Sequence, residues 1–181
     1  MKDESFDHVR VVLCQNEIPI TVTKEAFKKG RIVGALTYWN PAPVPTDNCS
    51  DVLPLVDVLC VNETEAQAVS GLTDLDAALQ ALVQKVPSVV VTMGKRGCML
   101  LQKGRDIVRI PAAPADKVVD TTGAGDCFCG TMAWCLSRGI SLYDAAKIGN
   151  QVAAISVTRY GAQASYPTLS ECPAEVQRTL A

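Results

Sequence analysis

The chain of 181 residues contains a single histidine, His8, and that scarcity removes whole classes of chemistry. Zinc sites of the H-E-x-x-H kind and Ser-His or Cys-His nucleophile pairs need imidazoles near a reacting centre, and His8 precedes the first apolar run. Positive charge is not in excess either. Seventeen basic against nineteen acidic residues leave a formal charge of -2, with no basic stripe to neutralise a phosphate backbone, so nucleic acid is not expected as a partner. The longest apolar runs, such as 86–91, are too short to cross a bilayer, and charged residues follow Met1 where a signal peptide would have an apolar core. The expectation is a soluble, cytoplasmic protein without membrane contact. C-x-x-C pairs are missing although eight cysteines are present, which argues against a zinc ribbon or a dithiol redox motif. Most of these cysteines lie in apolar stretches, where a reduced thiol behaves as a small hydrophobe. What remains for chemistry is carboxylates, backbone amides and bound ions.

What is present is enough apolar sequence, 48% of residues, to bury a core as one domain. Short β-branched runs alternate with helix-like segments, the pattern of an α/β sheet with crossover helices. Strands are expected at Val9 to Cys14, Ala35 to Trp39, Asp57 to Val61 and Ser88 to Met93, and a meander through Met99 to Leu101 and Ile107 to Ile110 with turns at Gly94, Gly97 and Gly104. Helices are expected from Thr21 to Gly30, from the Asn62-Glu63-Thr64-Glu65 start to Gly71, and from Thr73 or Asp74 to about Lys85. The prolines of Asn40-Pro41-Ala42-Pro43-Val44-Pro45 lack amide donors and make that segment a loop. A short strand at Lys117 to Val119 should lead into a glycine-rich turn, then helices from Gly125 to about Arg138 and from Ser141 to about Arg159.

The strongest chemical signal is Val118-Val119-Asp120-Thr121-Thr122-Gly123-Ala124-Gly125-Asp126. Such a turn aims unpaired helix-start amides at one spot beside the positive end of the helix dipole, where an anion can dock. Asp126 in the same place disfavours simple phosphate storage but suits taking a proton from a hydroxyl that attacks a phosphoryl group. The plain alternative is a structural turn whose aspartate caps the helix. A Rossmann turn is excluded because Gly123, Gly125 and Gly130 have the wrong last spacing, and a Walker loop because Gly94-Lys95 is followed by Arg96.

DTTGAGD with Phe128 and Gly130 behind it resembles the signature of the ribokinase (PfkB) family of carbohydrate kinases. Further matches follow in order: Asn-Pro-Ala-Pro at 40–43, Asn62-Glu63-Thr64-Glu65, Thr92-Met93-Gly94-Lys95-Arg96-Gly97, and Val157-Thr158-Arg159-Tyr160-Gly161-Ala162-Gln163. The resemblance runs from about Val9 to Pro167 and implies a ribokinase-like three-layer α/β/α sandwich. It implies Asp126 as the base and the amides of Gly123, Ala124 and Gly125 as the anion hole. By the same likeness Asn62 meets the triphosphate and Glu65 organises Mg2+ through water, although Asn with Glu three residues on is equally a helix capping box. Thr92, Gly94, Lys95 and Gly97 resemble the ATP-side loop, with Lys95 departing from the small polar residue expected there, and Asn150 matches a nucleotide-pocket position. Asp120, Thr122, Ser156, Arg159, Gly161 and Ser165 match a K+ site built mostly from carbonyls, and Glu17 matches a sugar-contacting acid.

The resemblance therefore implies ATP-dependent phosphorylation of a sugar hydroxyl, with D-ribose giving ribose 5-phosphate and with ATP, Mg2+ and K+ as cofactors. Family members are longer, and the match is to their ATP-binding C-terminal part. Residues 1–181 then form one partial domain, truncated at the N-terminus and without the sugar-binding region and β-sheet lid. An open sheet edge is expected to favour pairing, as in a homodimer. The alternative is a catalytically incompetent nucleotide-binding fragment or regulatory isoform. Cys127, beside Asp126 at a helix start, has two readings: a thiol of lowered pKa, or a packed helix cysteine, which is the more common case.

Overall fold

The computed structural model describes residues 4–45 and 49–180. Strands β1 (Val11–Cys14), β2 (Leu36–Trp39), β3 (Val58–Asn62) and β4 (Ser88–Thr92) pair in parallel, with Val11 opposite Leu36, Tyr38 opposite Val58 and Val58 opposite Ser88. Strands β5 (Cys98–Gln102) and β6 (Val108–Ile110) complete a sheet of order β1-β2-β3-β4-β5-β6. Parallel strands covered on both faces read as continuous apolar runs, and β3 and β4 do so: four of the five residues in each are fully buried. Two compact units divide the chain, Met1–Met93 with Met99–Arg109, and Gly94–Cys98 with Ile110–Ala181.

The first unit carries helices α1 (Ile20–Ile32), α2 (Glu63–Ser70) and α3 (Leu75–Leu82). Helix α1 buries Thr23, Phe27 and Gly30 at i, i+4, i+7 spacing, and Lys29 and Arg31 complement its carboxyl end. Asp74 starts α3 by accepting the Ala77 amide at 2.8 Å. That helix ends at Leu82, three residues short of the expected Lys85, because the amides of Lys85 and Val86 both turn back to the Leu82 carbonyl ahead of Pro87. The core of the unit joins Phe27, Trp39, Leu59, Leu79, Leu82 and Leu101, and burying each such side chain stabilises the fold by about 1.5–3 kcal/mol.

The second unit holds α4 (Ala124–Ser137), α5 (Leu142–Ser156) and α6 (Ala174–Leu180). Leu142, Ala145, Ala146, Gly149 and Val152 of α5 are buried along one stripe, and the Phe128 ring of α4 lies over Gly149. Two expectations are corrected here. Lys117 to Val119 forms no strand: the amides of Val119 and Asp120 both donate to the Val157 carbonyl, at 2.8 and 3.2 Å, so they are satisfied without a sheet ladder. Helix α5 stops at Ser156 rather than near Arg159, since Thr158 and Arg159 tighten into i to i−3 bonds and the Val157 carbonyl is diverted to residues 119 and 120. Helix α6 was not expected from the sequence. None of the eight cysteines is in a disulfide, and seven are buried. Among the described residues no helix is long and apolar enough to cross a membrane.

Trp39 is fully buried, and its Nε1 has no hydrogen-bond partner among the described residues. Trp39→Phe removes a donor whose burial costs about 1–3 kcal/mol together with ring volume of similar worth. The variant is expected to unfold within about 1 kcal/mol of wild type in chemical denaturation, whereas Trp39→Ala loses about 3–5 kcal/mol. A Phe variant as damaged as the Ala variant would contradict this account.

Candidate active site

Ligands of open α/β sheets bind outside the carboxyl ends of the parallel strands, and the candidate residues of the first unit collect there. At the end of β1, Asn16 receives a hydrogen bond's acceptor from the loop after β2: its amide donates to Ala42 O at 2.9 Å and its Nδ2 to Pro43 O at 3.0 Å. Asn40, buried, donates its Nδ2 to Cys60 O at 2.9 Å, which ties the Asn-Pro-Ala-Pro loop to β3. Glu17, next to Asn16, is exposed. Asn62 and Thr92 are register partners at the ends of β3 and β4.

Asn62 and Glu65 form a complete capping box. Asn62 Oδ1 accepts the Glu65 amide at 2.9 Å, Glu65 Oε2 accepts the Asn62 amide at 2.9 Å, and Asn62 Nδ2 donates to Glu65 Oε1 at 2.8 Å. Glu65 is only 4% exposed, and burial pushes its carboxyl above the ordinary range against the pull of both Asn62 donors. A cation close by would reverse that shift by favouring the ionised form. Each carboxylate oxygen keeps acceptor capacity beyond its one Asn62 bond, so the pair fits a water-mediated Mg2+ while also capping α2.

The second unit contains the glycine turn. Gly123 has φ 75°, left-handed backbone that favours glycine, and a Cβ there would fall 2.9 Å from Ala162 and from the Tyr166 hydroxyl. Helices α2, α3 and α5 are capped by Asn62, Asp74 and Ser141 side chains, whereas α4 opens on Gly123 with no side-chain cap. Its first helical bond runs from the Cys127 amide to Gly123 O at 2.9 Å, and the Ala124 amide turns back to Thr121 O at 3.2 Å. The Gly125 and Asp126 amides are thus left without an intrahelical acceptor. Of the expected Gly123-Ala124-Gly125 set, the Ala124 amide is engaged by Thr121 O, while the Gly125 amide and that of the neighbouring Asp126 stay open. Asp126 is exposed in the same first turn.

Asp120 fastens this turn to the segment after α5. Its Oδ1 accepts the Thr122 amide and its Oδ2 the Gly161 amide, both at 2.9 Å, and these bonds, Gly161 foremost, hold the carboxyl below the usual carboxylate range. Ser165 is buried and donates to Ala162 O at 2.7 Å, Ser156 donates to Ala153 O at 2.9 Å, and Arg159 pairs with Glu171 at 2.8 Å. The Arg159 side chain is thus engaged by Glu171. No cluster of three His, Cys, Asp or Glu groups able to hold a metal exists among the described residues. A cation beside Asp120 would be held by carbonyl and hydroxyl oxygens, and the side-by-side course of the 119–122 and 157–165 segments suits that donor set.

Gly94, Lys95 and Arg96 form a 3-10 turn, with Lys95 exposed. Gly97, φ 88°, passes so close to the Ile110–Ala112 backbone that any Cβ would overlap it. Asn150 donates to Pro111 O at 3.3 Å and to Cys98 Sγ at 3.5 Å, so its amide nitrogen clamps α5 to this crossing. Cys127 follows the packed-cysteine reading. It is buried, and burial pushes its thiol up, with the Cys172 and Asp126 charges adding to the rise and only the Ser156 hydrogen bond opposing it. The nearby helix start does not offset the loss of solvent. Asn16 and Tyr166 were not singled out by the sequence. The Asn-Pro-Ala-Pro match pointed to Asn40, while no local pattern pointed to Tyr166.

The strand order and the glycine turn define a ribokinase-fold α/β protein. A family model described as pfkB family carbohydrate kinase matches residues 4–169, and the chain belongs to that family. It is 36% identical over 176 residues to the ribokinase of Mus musculus, which covers 93% of this chain and 54% of that protein. The solved ribokinase of Thermotoga maritima superposes with TM-score 0.85 at 33% identity, covering 98% of this chain and 58% of that one. The Arabidopsis thaliana ribokinase, solved with ribose and ATP, superposes with TM-score 0.86 at 28% identity over 99% of this chain and 59% of that one. The chain thus spans somewhat over half the length of the relatives it matches.

Gly123→Ala places a methyl group against Ala162 and the Tyr166 hydroxyl in a left-handed conformation. It is expected to lower stability by about 1–3 kcal/mol, read as a fall in the thermal midpoint. An unchanged midpoint would contradict the packing described here.

Proposed function

We propose that this chain carries the ATP-binding and phosphoryl-transfer part of a ribokinase-type sugar kinase, acting on a sugar hydroxyl, with D-ribose converted to ribose 5-phosphate. The observation that carries the reading is the uncapped start of α4, where the free amides of Gly125 and Asp126 stand beside an exposed carboxylate in the same turn. Asp126 takes the proton of the attacking hydroxyl, a contribution typically of about 10²–10⁴ in rate. The amides of the turn stabilise charge on the transferring phosphoryl oxygens, at about 2.7–4 kcal/mol for a donor of this kind. Family membership and the ribokinases it resembles support ATP as the donor and ribose as the acceptor.

Asn62 meets the triphosphate from the carboxyl end of β3, and Thr92, Gly94, Lys95 and Gly97 belong to the nucleotide side, with Asn150 holding the 97–111 crossing in place. Glu17 meets the sugar. Glu65 would hold Mg2+ through water, and Asp120, Thr122, Ser156, Arg159, Gly161 and Ser165 would hold K+, chiefly through carbonyls. When bound, Mg2+ neutralises phosphate charge and K+ adds positive field beside the anion hole. The setting is cytoplasmic, and the partners are the sugar and ATP. A second reading is nucleotide binding without turnover.

The test is ribose-dependent ADP release in Mg2+ and K+, with calorimetric ATP binding in the same samples. Asp126→Asn is expected to lower kcat by roughly 10²–10⁴ while ATP affinity stays within about threefold. Turnover equal to wild type would remove Asp126 from the mechanism, and wild-type binding without any turnover would establish the second reading.

A further inference from the structure

The residue that nothing in the motif accounts for is Tyr166. The 3-10 turn Gln163–Ser165 is pinned by the Ser165 amide and hydroxyl, which both donate to Ala162 O at 2.9 and 2.7 Å, and it hands the chain to Tyr166, whose amide donates to Gln163 O at 3.3 Å. The ring then reaches back to the glycine turn, and its hydroxyl stands 2.9 Å from the place a Cβ on Gly123 would occupy. It thus fills the space beside the residue that opens α4. Burial raises this phenol above its ordinary value, and the charge of Asp126 raises it further, so the hydroxyl lies within electrostatic reach of the same first turn.

A half-buried phenol normally uses its O–H. Among the described residues the Tyr166 hydroxyl has no hydrogen-bond partner, while the amides of Ser165 and Tyr166 itself are tied to Ala162 O and Gln163 O. A fixed neutral donor with nothing to donate to, set against a turn whose amides also lack acceptors, calls for an external acceptor.

We propose that the Tyr166 hydroxyl is a further donor of the anion hole, which hydrogen-bonds the terminal phosphoryl group that the Gly125 and Asp126 amides receive. The assignment rests on the phosphoryl-transfer reading of this turn. It makes Tyr166 a contact to the terminal phosphate and not to the rest of the nucleotide, so its effect separates from nucleotide affinity in general. No covalent step is involved: the phenol keeps its proton, which a neutral donor does and an ionised one cannot.

The experiment compares Mg2+·ADP binding with and without beryllium fluoride, which stands in for the terminal phosphoryl group, in wild type, Tyr166→Phe and Tyr166→Leu. The Phe variant keeps the ring against Gly123 and loses only the donor. It is expected to bind ADP as wild type does and to lose about tenfold or more of the fluoride-dependent tightening, as a hydrogen bond to a charged group should cost. The Leu variant is expected to lose the same increment. Full tightening in Tyr166→Phe, with or without loss in Tyr166→Leu, would overturn the proposal by reducing Tyr166 to packing. An equal loss of ADP affinity in Tyr166→Phe would overturn it as well. Wild type that binds ADP but gains nothing from the fluoride would instead overturn the anion-hole reading beneath it.

Discussion

The Asp120 carboxylate is the tie on which the second unit's chemistry depends. By accepting the Thr122 amide on one oxygen and the Gly161 amide on the other, each at 2.9 Å, it joins two segments that are 41 residues apart in sequence. Val157 O reinforces the join by receiving the amides of Val119 and Asp120. With the segments fixed, Ala162 and Tyr166 press on Gly123, which only glycine can occupy at φ 75°. Helix α4 then begins without a side-chain cap, and its open amides face outward beside Asp126. A left-handed glycine, a helix without a side-chain cap and an exposed acid thus share one turn.

The first unit solves a different problem. Its parallel strands deliver Asn16, Asn40, Asn62 and Thr92 to the same end of the sheet, as the geometry of parallel pairing requires. Amide side chains do the fastening: Asn16 and Asn40 fix the proline loop, and Asn62 caps α2 while holding Glu65. Glu65 therefore has a structural and an electrostatic character at once. Its burial raises the carboxyl, and a nearby positive charge would favour its ionised form.

Much of this was legible in the sequence where local chemistry decides the outcome. The alternation of β-branched runs with capped helices located β1 to β6 and α1 to α5, because caps such as Asp74 and Ser141 act through bonds three residues away. The glycine turn and its acid were legible for the same reason. What was not legible depends on distant partners. Lys117 to Val119 looks like a strand, yet its amide partner is Val157, some forty residues on. Cys127 sits at a helix start but is governed by burial that no spacing reveals. The return of Tyr166 to Gly123 follows from how the 157–166 segment folds back.

The account stands or falls on whether an anion docks on the open amides of α4. Backbone amide NMR on the 15N-labelled protein, titrated with Mg2+·ATP in K+ buffer, measures this directly. The account predicts that the Gly125 and Asp126 amide resonances shift most strongly, with Gly123 and Gly161 following through the Asp120 tie. Nucleotide binding that shifts other amides and leaves the 123–126 turn unmoved would contradict it.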